Sequence, residues 1–402
     1  MRLVFVNHCH PETPHVCAIR MREFAAAMAG RGHQVVLVTS SLGDRPGTGL
    51  PGNLGAALAA HDWTRPFLLE TPPSGFSAIA RARQHGIGYG IGKVLLAASY
   101  FCGSGVYPDW RAAVRPHLQI LARGFRPEAV WGTFGNTSSW VIARDIARAA
   151  GCPWVADLKD HWESFIPRQF RSLLAGRFAD AAAMTAFSGE HRDTVQRWFD
   201  RDAAVVYSGV DPALFRTVAA PGGDVVTLTG AIYDRASLDG LIGGIRFFAE
   251  SLPEMRRAKL LFRYAGHDRA EVEAASAALD GLVACDIRGQ QPLADWAGIL
   301  SGARVNCYVK SGVTFHHKLF DLLAAGVPVL TLPPETGEAM EIADAVVGTL
   351  LGAHDPAGVA DILKRVVGEP AGRNETAADS LSWAGRAGAL EAVLQSVIGE
   401  AA

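Results

Sequence analysis

The chain shows no paired-cysteine spacing, no long apolar run, no low-complexity tract and no large excess of one charge. Each absence removes a class of protein. The six cysteines are scattered, which suits free thiols in a reducing cytoplasm and gives no disulfide framework. No uncharged apolar stretch approaches the length that spans a bilayer. The opening "MRLVFVNHCHPET" begins directly on a strand-like run, without a charged leader, a longer apolar core and a cleavage site, so no secretory signal is expected. A formal net charge of −2 gives no general attraction for nucleic acid, and any anion site has to be local.

What is present is a long, well-buried sequence. At 402 residues it exceeds one typical core, so two domains of about 200 residues each are expected. Apolar residues make up 49% and charged ones 19%, which argues against disorder. Along the first half, "RLVFVNH", "HQVVLVTS", "AVWGTF", "PWVADL" and "AAVVYSG" read as strands. Helix-like segments such as "AIRMREFAAAMAGRG" and "TSSWVIARDIARAAG" lie between them. Residues 209–224, rich in proline, glycine and small side chains, read as a linker. The alternation then restarts with "VVTLTG", "KLLFRYAG", "ACDIRG", "VNCYVK" and "PVLTL". This pattern predicts an α/β fold of two tandem Rossmann-like, doubly wound domains, residues 1–208 and 225–375, facing a central cleft. Residues 376–402 are expected to form a final helix crossing back to the first domain. One stretch, Gly86 to Tyr107, is glycine-rich, aromatic and almost uncharged. It fits either a buried helix flanked by loops or a peripheral contact with a membrane or apolar acceptor.

Several residues carry candidate chemistry. Gly230 and Gly266 end strands in the second domain, where a bare backbone turns sharply into a helix or lets a ligand approach. Arg235, five residues past Gly230, is within reach of a phosphate or is simply solvated. In "TFHHKLFDLLAAGVPVL" a helix is expected from about Phe315 to Gly326, with His317, Lys318 and Asp321 at its front. A lysine in the first turn opposes the helix dipole by a few tenths of a kcal/mol, and a bound diphosphate reverses that sign. Asp321, three residues on, either takes ribose or sugar hydroxyls or pairs with Lys318. In the first domain "ADLKDHWESF" gathers Asp157, Lys159, Asp160, His161 and Glu163 after a strand, a density that suits acid–base chemistry or acceptor binding, or a capped helix start. "NHCHPETPHVC" holds His8, Cys9, His10, Glu12, His15 and Cys17, all metal-ligand types. Their spacing matches no common zinc pattern, so the stretch is read as a loop lining the cleft, followed by Arg20 on a helix, and no metal is expected.

Taken together, these segments resemble the GT-B glycosyltransferases, and in particular the retaining, nucleotide-sugar-dependent family 4, over nearly the whole chain. "PETPHVCAIRMREFAAAMAGRGHQVVLVTS" resembles the family's entry loop and helix. "PWVADLKDHWES" resembles its "DLWPES"-like segment, and "VVYSGVDPALF" the approach to the linker, where "NGVD" is usual. "HHKLFDLLAAGVPVL" resembles the donor-holding "PSKLFEYMAAGKPVL". "LSWAGRAGALEAVL" resembles the helix that often crosses back. The resemblance implies a nucleoside diphosphate sugar on the second domain, with Gly230, Gly266 and His317 lining the donor. Lys318 and Arg235 would neutralise the diphosphate without a metal, and Asp321 would contact ribose. It implies a hydroxyl acceptor (lipid-linked, polysaccharide or natural product) on the first domain, near His10, Glu12, Arg20, Lys159 and Trp162, with Asp160 and His161 doing acceptor-side chemistry. Val313 stands where the family's first motif acid is usual, which suits a deoxygenated sugar. The entry loop has "TPHVC" in place of a double glycine. Two rivals share the fold: a nucleotide-sugar epimerase and a catalytically silent binding module.

Overall fold

A computed structural model describes residues 1–13, 15–42, 53–71, 98, 105, 107–217, 223–310, 317–367 and 380–401. Val313, the expected helix start at Phe315, residues 218–222 of the linker and nearly all of the stretch 86–107 lie outside the described residues.

The chain divides into two compact units, Met1–Ser208 with Arg386–Ala402, and Gly209–Gly385. Each is built on one parallel sheet. In the first unit the strands are β1 (Arg2–Val6), β2 (Gln34–Ser40), β3 (Phe67–Thr71), β4 (Ala129–Thr133), β5 (Trp154–Leu158), β6 (Ala183–Ala186) and β7 (Ala204–Val205), in the order β3-β2-β1-β4-β5-β6-β7. Central strands such as "RLVFV" and "AVWGT" are almost wholly buried, as strands covered on both faces must be. The order reverses between β1 and β4, a topological switch point where side chains at the strands' carboxyl ends are left to face a ligand.

Two helices frame that point. Val16–Gly30 follows β1 and starts with His15, whose ring accepts from the Cys17 N–H. Thr137–Ala150 follows β4 and is capped by Asn136, whose side chain accepts from the Ser138 and Ser139 N–H groups. From the second of these helices Trp140 packs ring against ring with Phe134, Trp162 and Phe199.

The second sheet comprises β8 (Asp224–Thr229), β9 (Leu260–Ala265), β10 (Ala284–Arg288), β11 (Val305–Val309), β12 (Val329–Leu332) and β13 (Leu350–Gly352), in the order β10-β9-β8-β11-β12-β13, all parallel. Its switch point lies between β8 and β11. The expected linker carries a short helix, Pro212–Arg216, capped by Asp211, and belongs to the second unit. The last helix, Trp383–Ala401, belongs to the first unit from Arg386 onward, and there Glu391 takes Arg31 and the His33 ring, the latter at 2.6 Å. Among the described residues no helix is long and apolar enough to cross a membrane.

Candidate functional site

In the second unit the carboxyl end of β8 forms a notch. Gly230 adopts φ +90°, and a Cβ added there would lie 0.9 Å from the Lys318 nitrogen, so only glycine lets this lysine lie across the strand end. Lys318 Nζ donates to the Thr229 carbonyl at 2.8 Å. Gly266 packs onto the same point, since a Cβ on it would meet the Tyr264 hydroxyl at 2.3 Å and the Gly230 carbonyl at 2.6 Å. The Tyr264 hydroxyl donates to Gly230 O at 2.7 Å and accepts from Asp268 N at 2.9 Å, while Asp268 Oδ2 accepts from Ile232 N at 2.7 Å. The loops after β8 and β9 are thus tied together, and the two glycines singled out in the sequence meet.

Charge at this notch is poised. Burial pushes Lys318 down to about 8, against the opposing pull of Asp321 and Asp268. Burial pushes Asp321 up to about 7, with Lys318 pulling it back and Asp211 adding repulsion. An ammonium whose hydrogen-bond acceptor is a carbonyl, at a strand end carrying bare glycine backbone, is suited to gaining a bound anion. The helix bearing Lys318 runs Lys318–Ala324, with His317 at its cap position and the His317 ring edge-on to Phe320 at 6.1 Å. Arg235, which begins the helix Arg235–Glu250, is exposed and donates from Nε to Asp239 at 2.8 Å, so its guanidinium is engaged along its own helix.

Deeper in this unit, Lys310 at the end of β11 pairs with Glu335 at 2.9 Å, and Glu335 also accepts from the Tyr308 hydroxyl. Sequence reading passed over Tyr264, Asp268 and this pair. An acidic residue two positions after a strand-ending glycine, as in "AGHD", was the available signal for Asp268.

In the first unit the carboxyl ends of β1, β4 and β5 bring together Cys17, Gly135, Lys159 and Asp160. Lys159 Nζ donates to Asp160 Oδ1 and to Cys17 Sγ, each at 2.8 Å, and Cys17 Sγ lies 3.6 Å from Asp160 Oδ2. Burial raises the Asp160 carboxyl, an effect that Lys159 opposes and Cys17 reinforces. His161, the next residue, is partly exposed, with Nδ1 4.0 Å from Glu190 and its ring 4.4 Å from that of His191. His10 is buried; its Nε2 lies 2.9 Å from Glu70 and its Nδ1 accepts from Glu12 N, while Glu12 itself is exposed. An Nδ1 that accepts an N–H leaves the proton of the neutral ring on Nε2, directed at Glu70.

Two expected acceptor contacts are corrected. Arg20 is 1% exposed; it grips Asp157 with Nε and Nη2, and bonds Ser208 Oγ and the Val206 carbonyl. Asp157 is filled by Thr133 and Thr185 as well. Trp162 is 0% exposed within the aromatic cluster. Neither side chain offers surface to an acceptor, and both hold the fold. Among the described residues no group of three or more His, Cys, Asp and Glu side chains could hold a metal ion.

No protein-family model and no curated protein sequence matches the chain. Solved structures do. HepE of Anabaena, in complex with UDP and glucose, is 14% identical, with 100% of this chain and 98% of that one covered and a TM-score of 0.57. Sucrose-phosphate synthase of Thermosynechococcus elongatus is 13% identical, with 99% of each chain covered and a TM-score of 0.64. The N-terminal domain of trehalose-6-phosphate phosphatase from Candida albicans is 12% identical, with 98% and 97% covered and a TM-score of 0.66. Likeness at such identities is one of fold. The two parallel, helix-flanked sheets and these full-length matches together identify the chain as having a GT-B-type fold of two Rossmann-like domains.

Proposed function

We propose that the protein is a retaining, metal-independent glycosyltransferase that moves a sugar from a nucleoside diphosphate donor to a hydroxyl acceptor. The observation that carries this reading is Lys318 lying in the Gly230 notch with its ammonium on a backbone carbonyl. In the reaction, the bond from the anomeric carbon to the β-phosphate oxygen breaks and its electron pair stays with the phosphate. A new bond forms from the anomeric carbon to the acceptor oxygen, and the acceptor proton passes to Asp160. Lys318 neutralises the charge that grows on the leaving diphosphate, and that growth is where a preformed cation lowers the barrier. Asp321, one turn along the same helix, takes the ribose hydroxyls. Arg235 joins the phosphates after leaving Asp239. The acceptor's sugar, lipid or natural-product body is held by the first unit around Glu12, Lys159 and His161, with residues 86–107 contributing peripheral membrane contact.

A thermal-shift panel of UDP, GDP, TDP and ADP tests the reading. The matching diphosphate at a hundredfold excess over its Kd stabilises by about 2.7 kcal/mol. No shift with any of the four refutes donor binding. Turnover of the matching sugar nucleotide to an isomer, with no acceptor required, identifies an epimerase instead.

A further inference from the structure

Cys17 has no role in the transfer reading above, yet it lies at the centre of the first unit's charged cluster. It is the second residue of the helix Val16–Gly30, 3% exposed, and its carbonyl accepts from Asn7 Nδ2 at 3.1 Å. Its sulfur meets Lys159 at 2.8 Å and Asp160 Oδ2 at 3.6 Å. Lys159 holds Asp160 by the other oxygen, Oδ1, at 2.8 Å. Across from the sulfur is Gly135, at the end of β4. A Cβ built there would be 3.5 Å from Asp160 Oδ2 and 3.7 Å from Cys17 Sγ, so the missing side chain leaves a notch walled by those two atoms.

We propose that Cys17 is a positioning residue for Asp160: its sulfur and the Lys159 ammonium hold the carboxylate so that Oδ2 faces the notch over Gly135 and takes the proton of an acceptor hydroxyl there. This rests on the glycosyl-transfer reading above. The groups facing the carboxylate are Cys17 and, behind it, Cys9 and His15 from the entry loop, Lys159 from its own strand end, and the bare Gly135 backbone from β4. A hydrogen bond from the Cys9 thiol, then His15 and the Lys159 ammonium, pull the Cys17 thiol well below its ordinary range, while Cys9 is raised in turn. A sulfur anion near Oδ2 makes that oxygen more basic, and the ammonium keeps it from drifting. Without Cys17, Lys159 acts on Asp160 alone and weakens it as a base.

Two measurements separate this proposal from the reading it rests on. The first is thiolate absorbance near 240 nm, as the difference between wild type and Cys17→Ser, followed against pH in free protein. The proposal expects the thiolate signal already present at neutral pH and its onset moved to higher pH in Lys159→Met, where Cys9 and His15 still act on the sulfur; a signal rising only at the ordinary thiol pKa in wild type overturns it, whatever the protein binds. The second is hydrolysis of UDP-glucose, GDP-mannose, TDP-glucose and ADP-glucose with water as acceptor. For the donor turned over, Cys17→Ser should shift the acid limb of kcat downward by about one pH unit with the donor KM unchanged. An unmoved limb overturns the positioning role. Gly135→Val, which fills the notch with methyl groups against Asp160 Oδ2 and the Cys17 sulfur, should suppress hydrolysis while diphosphate binding persists; undiminished hydrolysis overturns the seat. If wild type binds no diphosphate and hydrolyses no donor, the glycosyl-transfer reading falls and takes the positioning role with it, while the absorbance still reports the ion cluster.

Discussion

Replacing Lys318 by methionine should make the empty protein more stable and the liganded one less so. Burial lowers the lysine from 10.5 to about 8, which means the folded state disfavours its charge. At 1.36 kcal/mol per pH unit that drop amounts to roughly 3 kcal/mol below pH 8, and partial exposure of the side chain brings it to about 1–2 kcal/mol. The sign follows from proton counts: between pH 8 and 10.5 the unfolded lysine keeps a proton that the folded one has lost. Wild-type stability therefore rises with pH across that window. Lys318→Met should lack this rise and melt higher at pH 7. Diphosphate binding should move the other way. A charge-assisted hydrogen bond contributes about 1.5–3 kcal/mol, so the variant should lose roughly ten- to a hundredfold in affinity for the diphosphate that stabilises wild type. Wild-type affinity should also decline above pH 8, whereas that of the variant stays flat. Denaturant melts of free protein and calorimetric titration at pH 7 and pH 9.5 read both quantities. A variant that binds the diphosphate as tightly as wild type refutes the reasoning, and so does an empty variant that is less stable at pH 7.

Two further outcomes follow from buried charge in the same unit. Asp321, pushed up to about 7, keeps a proton that the unfolded chain releases near 4, so its contribution to stability is full below pH 4 and is lost as pH rises through 7. Asp321→Asn should remove that decline, and denaturant melts from pH 4 to pH 8 will show it as a flatter profile. The Lys310–Glu335 pair is 2% and 0% exposed, so Glu335→Ala should cost about 3–5 kcal/mol by stranding the ammonium, with the joint change Lys310→Met and Glu335→Leu recovering most of it in the same melts.

The central strands were legible because their apolar runs match strands covered on both faces. β3 and β13 were not, because neither is a sustained buried run: "FLLET" alternates in burial and "LLG" spans only three residues. Gly230, Gly266 and Lys318 could be picked out locally, since a strand followed by glycine and a misplaced cation are features of neighbouring residues. Arg20 and Cys17 could not. Whether an arginine on a helix faces ligand or core depends on Asp157, 137 residues away, and the character of the Cys17 thiol depends on Lys159, 142 residues away. Trp162 shares that difficulty, since a tryptophan beside acidic residues reads the same whether its ring covers a ligand or fills a core.

The tail helix has a consequence for how the protein is made and dissected. Arg31 and His33, laid down early in synthesis, wait for Glu391 before their contacts exist. An amino-terminal fragment cut at Ser208 would therefore leave the ribosome with one flank of its first layer uncovered, and a linear notion of "domain one" would miss the piece that seals it.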